Sequence, residues 1–223
     1  MIATNTEVKQ NFVPPIQTKV EVKKPKRVIG FSGSHCIGKS LIATRVASDL
    51  GIKFIDTKIK QSSAWSWNEL NPTDLMSFGE RIYVQEVLLH ELEQILKSLS
   101  EEDCVINRTP IDILAYLLVN IDKTASVVFN RSVKKFVDKC IKLCSVFTHF
   151  VIIKHGLPIA LSNNTNRVHQ SYVLQEALTN VIIGSYYRYL SQIGSDKLLI
   201  EVPESIVDQT ERVIFIRNVL NIF

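Results

Sequence analysis

Long apolar runs are missing from this chain. The stretch DILAYLLVNI, residues 112–121, has only ten residues, the size of a core helix and about half of what a bilayer crossing needs. The N-terminal segment has no apolar h-region, because polar and charged side chains interrupt it throughout. Four cysteines in 223 residues give no framework for a disulfide-built scaffold. The expectation is a cytoplasmic protein with reduced thiols. A charge field of one sign is missing as well. Residues 1–26 hold five lysines against two glutamates, which leaves 21 basic and 20 acidic residues for the rest of the 26 and 22. A generally basic nucleic-acid surface is therefore not indicated. No internal repeat or low-complexity tract is present.

The composition, 46% hydrophobic and 22% charged, is that of a globular protein, and 223 residues suit one α/β domain. Residues 1–26, with Pro14-Pro15 and no sustained period, read as a flexible basic arm ahead of a domain at 27–223. Such an arm is either a solvated tail or a grip for a partner or nucleic acid.

Short, nearly continuous apolar runs lie at 27–32, 53–56, 104–107, 149–154 and 197–202. Strands buried on both faces of a parallel sheet have this appearance. Helical periods lie at 39–50, 73–99 (with Thr73 or Asp74 as cap after Pro72), 111–121, 132–144, 168–193 and 207–220. Alternation of the two predicts a three-layer αβα fold around a mostly parallel five-stranded sheet.

GSHCIGKS, residues 33–40, fits G-x-x-x-x-G-K-[ST] without mismatch, with a strand running in and a helix running out. Glycines at 33 and 38 let consecutive backbone N–H groups turn inward toward phosphate oxygens, and the helix start adds its positive end. The phosphate cradle is thus Gly33, Ser34, His35, Cys36, Ile37, Gly38, Lys39, Ser40 and Leu41. Lys39 would reach the β- and γ-phosphates of ATP, and Ser40 would hold Mg²⁺.

Other sequence features narrow the class. The D-x-x-G and N-K-x-D motifs of GTPases are missing, as is a transporter-ATPase signature. No strand ends in the acidic pair that activates water in ATPases, since these strands end in Asn107-Arg108 and Lys154-His155. Elimination leaves small-molecule phosphotransferases. The stretch INRTPIDILAYL at 106–117, together with the phosphate loop, resembles the nucleoside and nucleotide kinases among the P-loop kinases. There a strand ends in D-R-[ST] and a helix with D-x-x-A-Y follows. Arg108, Thr109, Asp112, Ala115 and Tyr116 match, while Asn107 replaces the expected acid.

The resemblance implies an ATP- and Mg²⁺-dependent kinase acting on a nucleoside, nucleotide or related small acceptor. Lys39, Arg108, Arg167 and Asp56 are its candidate catalytic residues. Arg108 leaves a buried strand at the sheet's carboxyl edge, where its planar fork suits phosphate. The alternative is a structural ion pair. Asp56, at the end of the second strand and expected at the carboxyl edge beside the phosphate loop, either accepts the acceptor hydroxyl's proton or orients that hydroxyl, or else starts an ordinary turn. Asp112 reads as a first-turn acid favoured by the helix dipole, with a site role as the alternative. Arg167 is the sole arginine of 155–167, a segment where such kinases carry a lid; the alternative is surface charge at a helix start. Trp65, Trp67, Phe78 and Tyr83 offer stacking surfaces or core packing, with packing favoured for Phe78, and Arg81 or Gln85 offers a base-edge reader. Residues 202–205, VPES, fall where these kinases pack adenine. Cys140 and Cys144 share a helical face and read as two small buried hydrophobes. A kinase of nucleic acid and a nucleotide-binding regulatory module without an acceptor remain the alternatives.

Overall fold

The computed structural model describes residues 26–34, 37–57, 76–99, 101–120, 127–154, 172–194 and 196–222. Chain order is β1 (Val28–Ser32), α1 (Lys39–Leu50), β2 (Lys53–Ile55), α2 (Phe78–Lys97), β3 (Cys104–Ile106), α3 (Pro110–Val119), α4 (Val127–Cys144), β4 (His149–Ile153), α5 (Tyr172–Ile193), β5 (Leu198–Val202) and α6 (Gln209–Ile222). The expected fold class is borne out. The five strands form one sheet in the order β2-β3-β1-β4-β5, and every pairing is parallel.

β1 is the central strand, and all five of its residues are buried. Its side chains alternate between two cores, as the pleat requires. Ile29 and Phe31 face a layer built on α1 and α6, with Ile42, Val46, Val213 and Ile216. Val28 joins the larger opposite core, to which α2 to α5 contribute Leu89, Leu114, Cys140 and Ile182. Full burial of one such aliphatic side chain is worth about 1.5–3 kcal/mol. Gly30 permits the closest approach on that larger face. A Cβ there would lie 2.6 Å from Thr109 Cγ2 and 2.7 Å from a Phe147 ring carbon. Its lack of a side chain therefore brings the start of α3 against β1.

Helix boundaries follow local chemistry. α1 ends at Gly51, which adopts the left-handed conformation at φ 65°. The expected caps of α2 at Thr73 and Asp74 lie outside the described residues. The described helix begins at Phe78, after Ser77 and Glu80 form a capping box. α3 starts at Pro110, whose fixed φ suits a first helical turn, after Thr109 in an extended conformation. Cys140 and Cys144 are buried in the larger core, and burial pushes both thiols up. Among the described residues no helix is long and apolar enough to cross a membrane.

Candidate active site

Parallel pairing of β1 with β3, in register Gly30↔Ile106, brings the exits of both strands to one edge. The chain leaving β1 passes through Gly33 at φ 149°. A Cβ on Gly33 would meet the Ile153 carbonyl oxygen at 2.6 Å, so only glycine seats the loop against β4. Gly38 then adopts the left-handed conformation, φ 77° and ψ 7°, and α1 begins. No side chain caps this start and no acid lies in its first turn. The orphan N–H groups and the positive helix end are thus offered to an anion. Ser34 is buried beside them, and its hydroxyl oxygen makes no hydrogen bond among the described residues. Ile37 packs into the smaller core, Ser40 and Leu41 are exposed, and His35 and Cys36 lie outside the described residues.

Lys39 is buried with its Nζ donating to the Gly33 carbonyl and to Asp112 Oδ1, each at 3.1 Å. Asp112, where the sequence favours a first-turn acid of α3 over a site role, sits at the centre of the site with no exposed surface. Its Oδ1 also accepts the Gly33 N–H at 3.0 Å. Oδ2 accepts the Ser32 hydroxyl at 2.8 Å, the Thr109 N–H at 2.8 Å and the Thr109 hydroxyl at 2.9 Å. Tyr186, from α5, closes the cluster with its hydroxyl 2.8 Å from Ser32 Oγ and 2.9 Å from Thr109 Oγ1. Burial alone would push the Asp112 carboxyl up. The charges of Lys39 and Arg108 and the N–H groups of Gly33 and Thr109 outweigh it and hold the carboxyl below its ordinary 3.8.

Asn107, leaving β3, reaches the other side of the loop. Its Nδ2 donates to Ser40 Oγ at 2.8 Å, while Oδ1 is buried without a hydrogen bond among the described residues. The exposed Ser40 hydroxyl is a hard oxygen donor of the kind Mg²⁺ takes, and an amide flip at Asn107 would turn its oxygen toward the same place, so these residues fit the metal the sequence implies. Arg108 follows at φ 155°, the sole non-glycine with positive φ among the described residues. Its guanidinium is buried 5.9 Å from the Tyr116 ring centroid, and among the described residues no carboxylate lies at ion-pair distance from it. A strained backbone, and a cation with no carboxylate at ion-pair distance among the described residues, suit an anion-binding arginine.

The remaining candidates divide. Asp56 follows β2 directly and is exposed, level with Asn107, whose N–H donates to the Ile55 carbonyl at 3.1 Å. It shares the carboxyl edge with the phosphate loop, with β3 intervening. Arg167, the segment 155–167, Trp65 and Trp67 lie outside the described residues. Phe78 packs in the core as favoured, whereas Tyr83 is exposed. Arg81 Nη1 donates to the Asn120 carbonyl at 3.0 Å, which ties α2 to the end of α3 and leaves it a poor base reader.

Ser32 and Tyr186 escaped the sequence reading. Ser32 is the one polar residue of an otherwise apolar strand, a faint signal. Tyr186 carries none, because its partners lie 77 and 154 residues away.

No protein-family model matches the chain, and no curated protein matches it. Solved structures do. Deoxyadenosine kinase from M. mycoides with bound dCTP is similar at TM-score 0.57 and 17% identity, over 88% of this chain and 100% of that one. NadR protein in complex with NAD and AMP-PNP is similar at TM-score 0.59 and 11% identity, over 87% of this chain and 49% of that one. Thymidylate kinase from Candida albicans is similar at TM-score 0.54 and 11% identity, over 88% and 92%. At these identities the likeness is one of fold. With its strand order, its loop after β1 and these neighbours together, the chain has the fold of the P-loop kinases.

Proposed function

We propose that the protein is an ATP- and Mg²⁺-dependent kinase that transfers a γ-phosphoryl group to a nucleoside, nucleotide or related small acceptor. The observation that carries this reading is the composition of the edge formed by β1 and β3. It holds a phosphate loop with Lys39, and an arginine without an acid partner among the described residues, and β3 ends in an amide rather than a water-activating acid. The fold neighbours with nucleosides and nucleotides in their names support the acceptor class.

Bound ATP supplies the phosphoryl group, and Mg²⁺ offsets its charge. The N-terminal amides of α1 and Lys39 bind the phosphates, and Ser40, with Asn107 beside it, would hold the metal. Arg108, joined by Arg167, neutralises charge that develops on the equatorial oxygens. Transfer breaks the bond from the γ-phosphorus to its bridging oxygen and forms one to the acceptor oxygen. For a hydroxyl acceptor, Asp56 takes the released proton, and ADP and a phosphate ester leave. The turn at 203–206, closed by the Ile206 N–H on the Pro203 carbonyl at 3.2 Å, borders the same edge and is the natural seat for the adenine. Catalysis of this kind is positioning and electrostatics.

The test is ADP release from Mg-ATP against a panel of nucleosides, nucleoside monophosphates and short DNA. Stimulation by one acceptor class supports the kinase and identifies its substrate. Tight ATP binding with no stimulation by any acceptor favours a regulatory nucleotide-binding module instead, a reading that the neutral Asn107 beside Ser40 also supports.

A further inference from the structure

The carboxylate missing at the end of β3 has a counterpart one turn into α3. Asp112 accepts five donors: Gly33 N–H and Lys39 Nζ on one oxygen, and Ser32 Oγ, Thr109 N–H and Thr109 Oγ on the other. A carboxylate offers about four lone-pair sites, so this one is saturated and has none left for a metal. It is also buried with no exposure, beyond reach of an acceptor's proton. What it touches is the machinery itself, namely the first glycine of the phosphate loop and the lysine that follows the second.

The same contact sets a conflict. The ammonium that must meet phosphate oxygens is held 3.1 Å from a buried anion, and a triphosphate arriving at Lys39 meets that negative charge. Asn107 makes the balance workable. With an amide at 107, the cluster of Lys39, Arg108 and Asp112 sums to one positive charge, whereas an acid there would bring it to zero.

We propose that Asp112 is the relocated acid of this site: a positioning residue that aims Lys39 and fixes Gly33 for phosphoryl transfer, while competing with the triphosphate for the lysine in the ground state. This rests on the kinase reading. The arrangement weakens nucleotide binding and aids transfer, so the two should separate on mutation.

The direct test is Asp112→Asn, which keeps the shape and removes the charge. ATP affinity is measured without metal by calorimetry, turnover with the best acceptor, and folding by melting temperature. The expected result is ATP bound more tightly, by on the order of tenfold as one nearby charge is removed, with turnover lowered by roughly 100-fold as Lys39 loses its aim. In a Lys39→Met background the same change should tighten ATP by less, since no ammonium is left to compete for and only the anion's own repulsion is relieved. A residue with a merely structural role would weaken binding and turnover together, in either background, and that result overturns the proposal.

Asn107→Asp gives an independent arm should Asp112→Asn fail to fold. A second acid beside Ser40 should weaken metal-free ATP and lower turnover. A gain in turnover would mean that the site lacked its acid all along, and would contradict relocation. Wild-type protein that binds no ATP would sink the kinase reading itself, a result separate from either arm.

Discussion

Lys39 and Asp112 are each buried on condition of the other, because a lone charge in this core would carry its full desolvation cost. Lys39→Met should therefore do two things. It should reduce acceptor-dependent turnover by at least 100-fold, as removal of one preorganised charge does at such sites. It should also lower stability by about 3 kcal/mol, the low end for a broken buried pair, since four donors to Asp112 remain. Urea denaturation beside steady-state kinetics reads both. At this scale the sequence was legible only where chemistry is local. Glycines at 33 and 38 followed by Lys39 and Ser40 announce their loop, and Arg108 announces itself as a candidate by its place at a strand exit. Asp112 did not, because its partners Ser32, Gly33 and Lys39 lie 80, 79 and 73 residues before it. Local spacing shows a first-turn acid there and nothing of the pocket around it.

Elements were more legible than residues. All five apolar runs are strands, and their expected ends differ from the observed ones by a residue or so, as where a polar residue such as Asp56, Asn107 or Lys154 leaves the ladder at the sheet's carboxyl edge. The start of α2 shows what periodicity misses. Ser77 Oγ accepts the Glu80 N–H at 3.3 Å, and the Glu80 carboxylate accepts the Ser77 N–H at 2.7 Å. Ser77→Ala should cost about 1 kcal/mol in denaturant stability.

Further along α2, Glu93 pairs with Lys97 at 2.8 Å and with Lys139 of α4 at 2.9 Å. These hydrogen bonds, from Lys97 first and Lys139 second, lower its carboxyl from 4.5 to about 2. A depressed acid stabilises above its unfolded value and loses that contribution as pH falls through its folded one. The melting temperature of wild type should thus exceed that of Glu93→Gln at pH 6, with the gap closing between about pH 4.5 and 2. Both pairs lie near solvent, so the gap should be small, equivalent to less than about 1 kcal/mol of stability, and should shrink in high salt.

At the scale of the molecule, strand order is what makes the site, and strand order is what the sequence left open. Alternating strands and helices predict parallel crossovers, but any of several orders satisfies them. Placing β3 beside β1 brings Asn107 to Ser40 and Asp112 to Lys39. Placing β2 outside β3 leaves Asp56 on the same edge one strand further out, where an acceptor rather than a donor would approach it. The small body charge, +4 less the +3 of residues 1–26, fits a small acceptor better than a nucleic acid, whose binding would require a basic face.

The most direct measurement follows the γ-phosphoryl group itself. Terminally labelled ATP is incubated with the protein and the acceptor that most stimulates ADP release, with Lys39→Met as the blank. The account predicts label in a phosphorylated nucleoside or nucleotide, lost in the variant. Label recovered only as inorganic phosphate, at a rate that no acceptor changes, would contradict it.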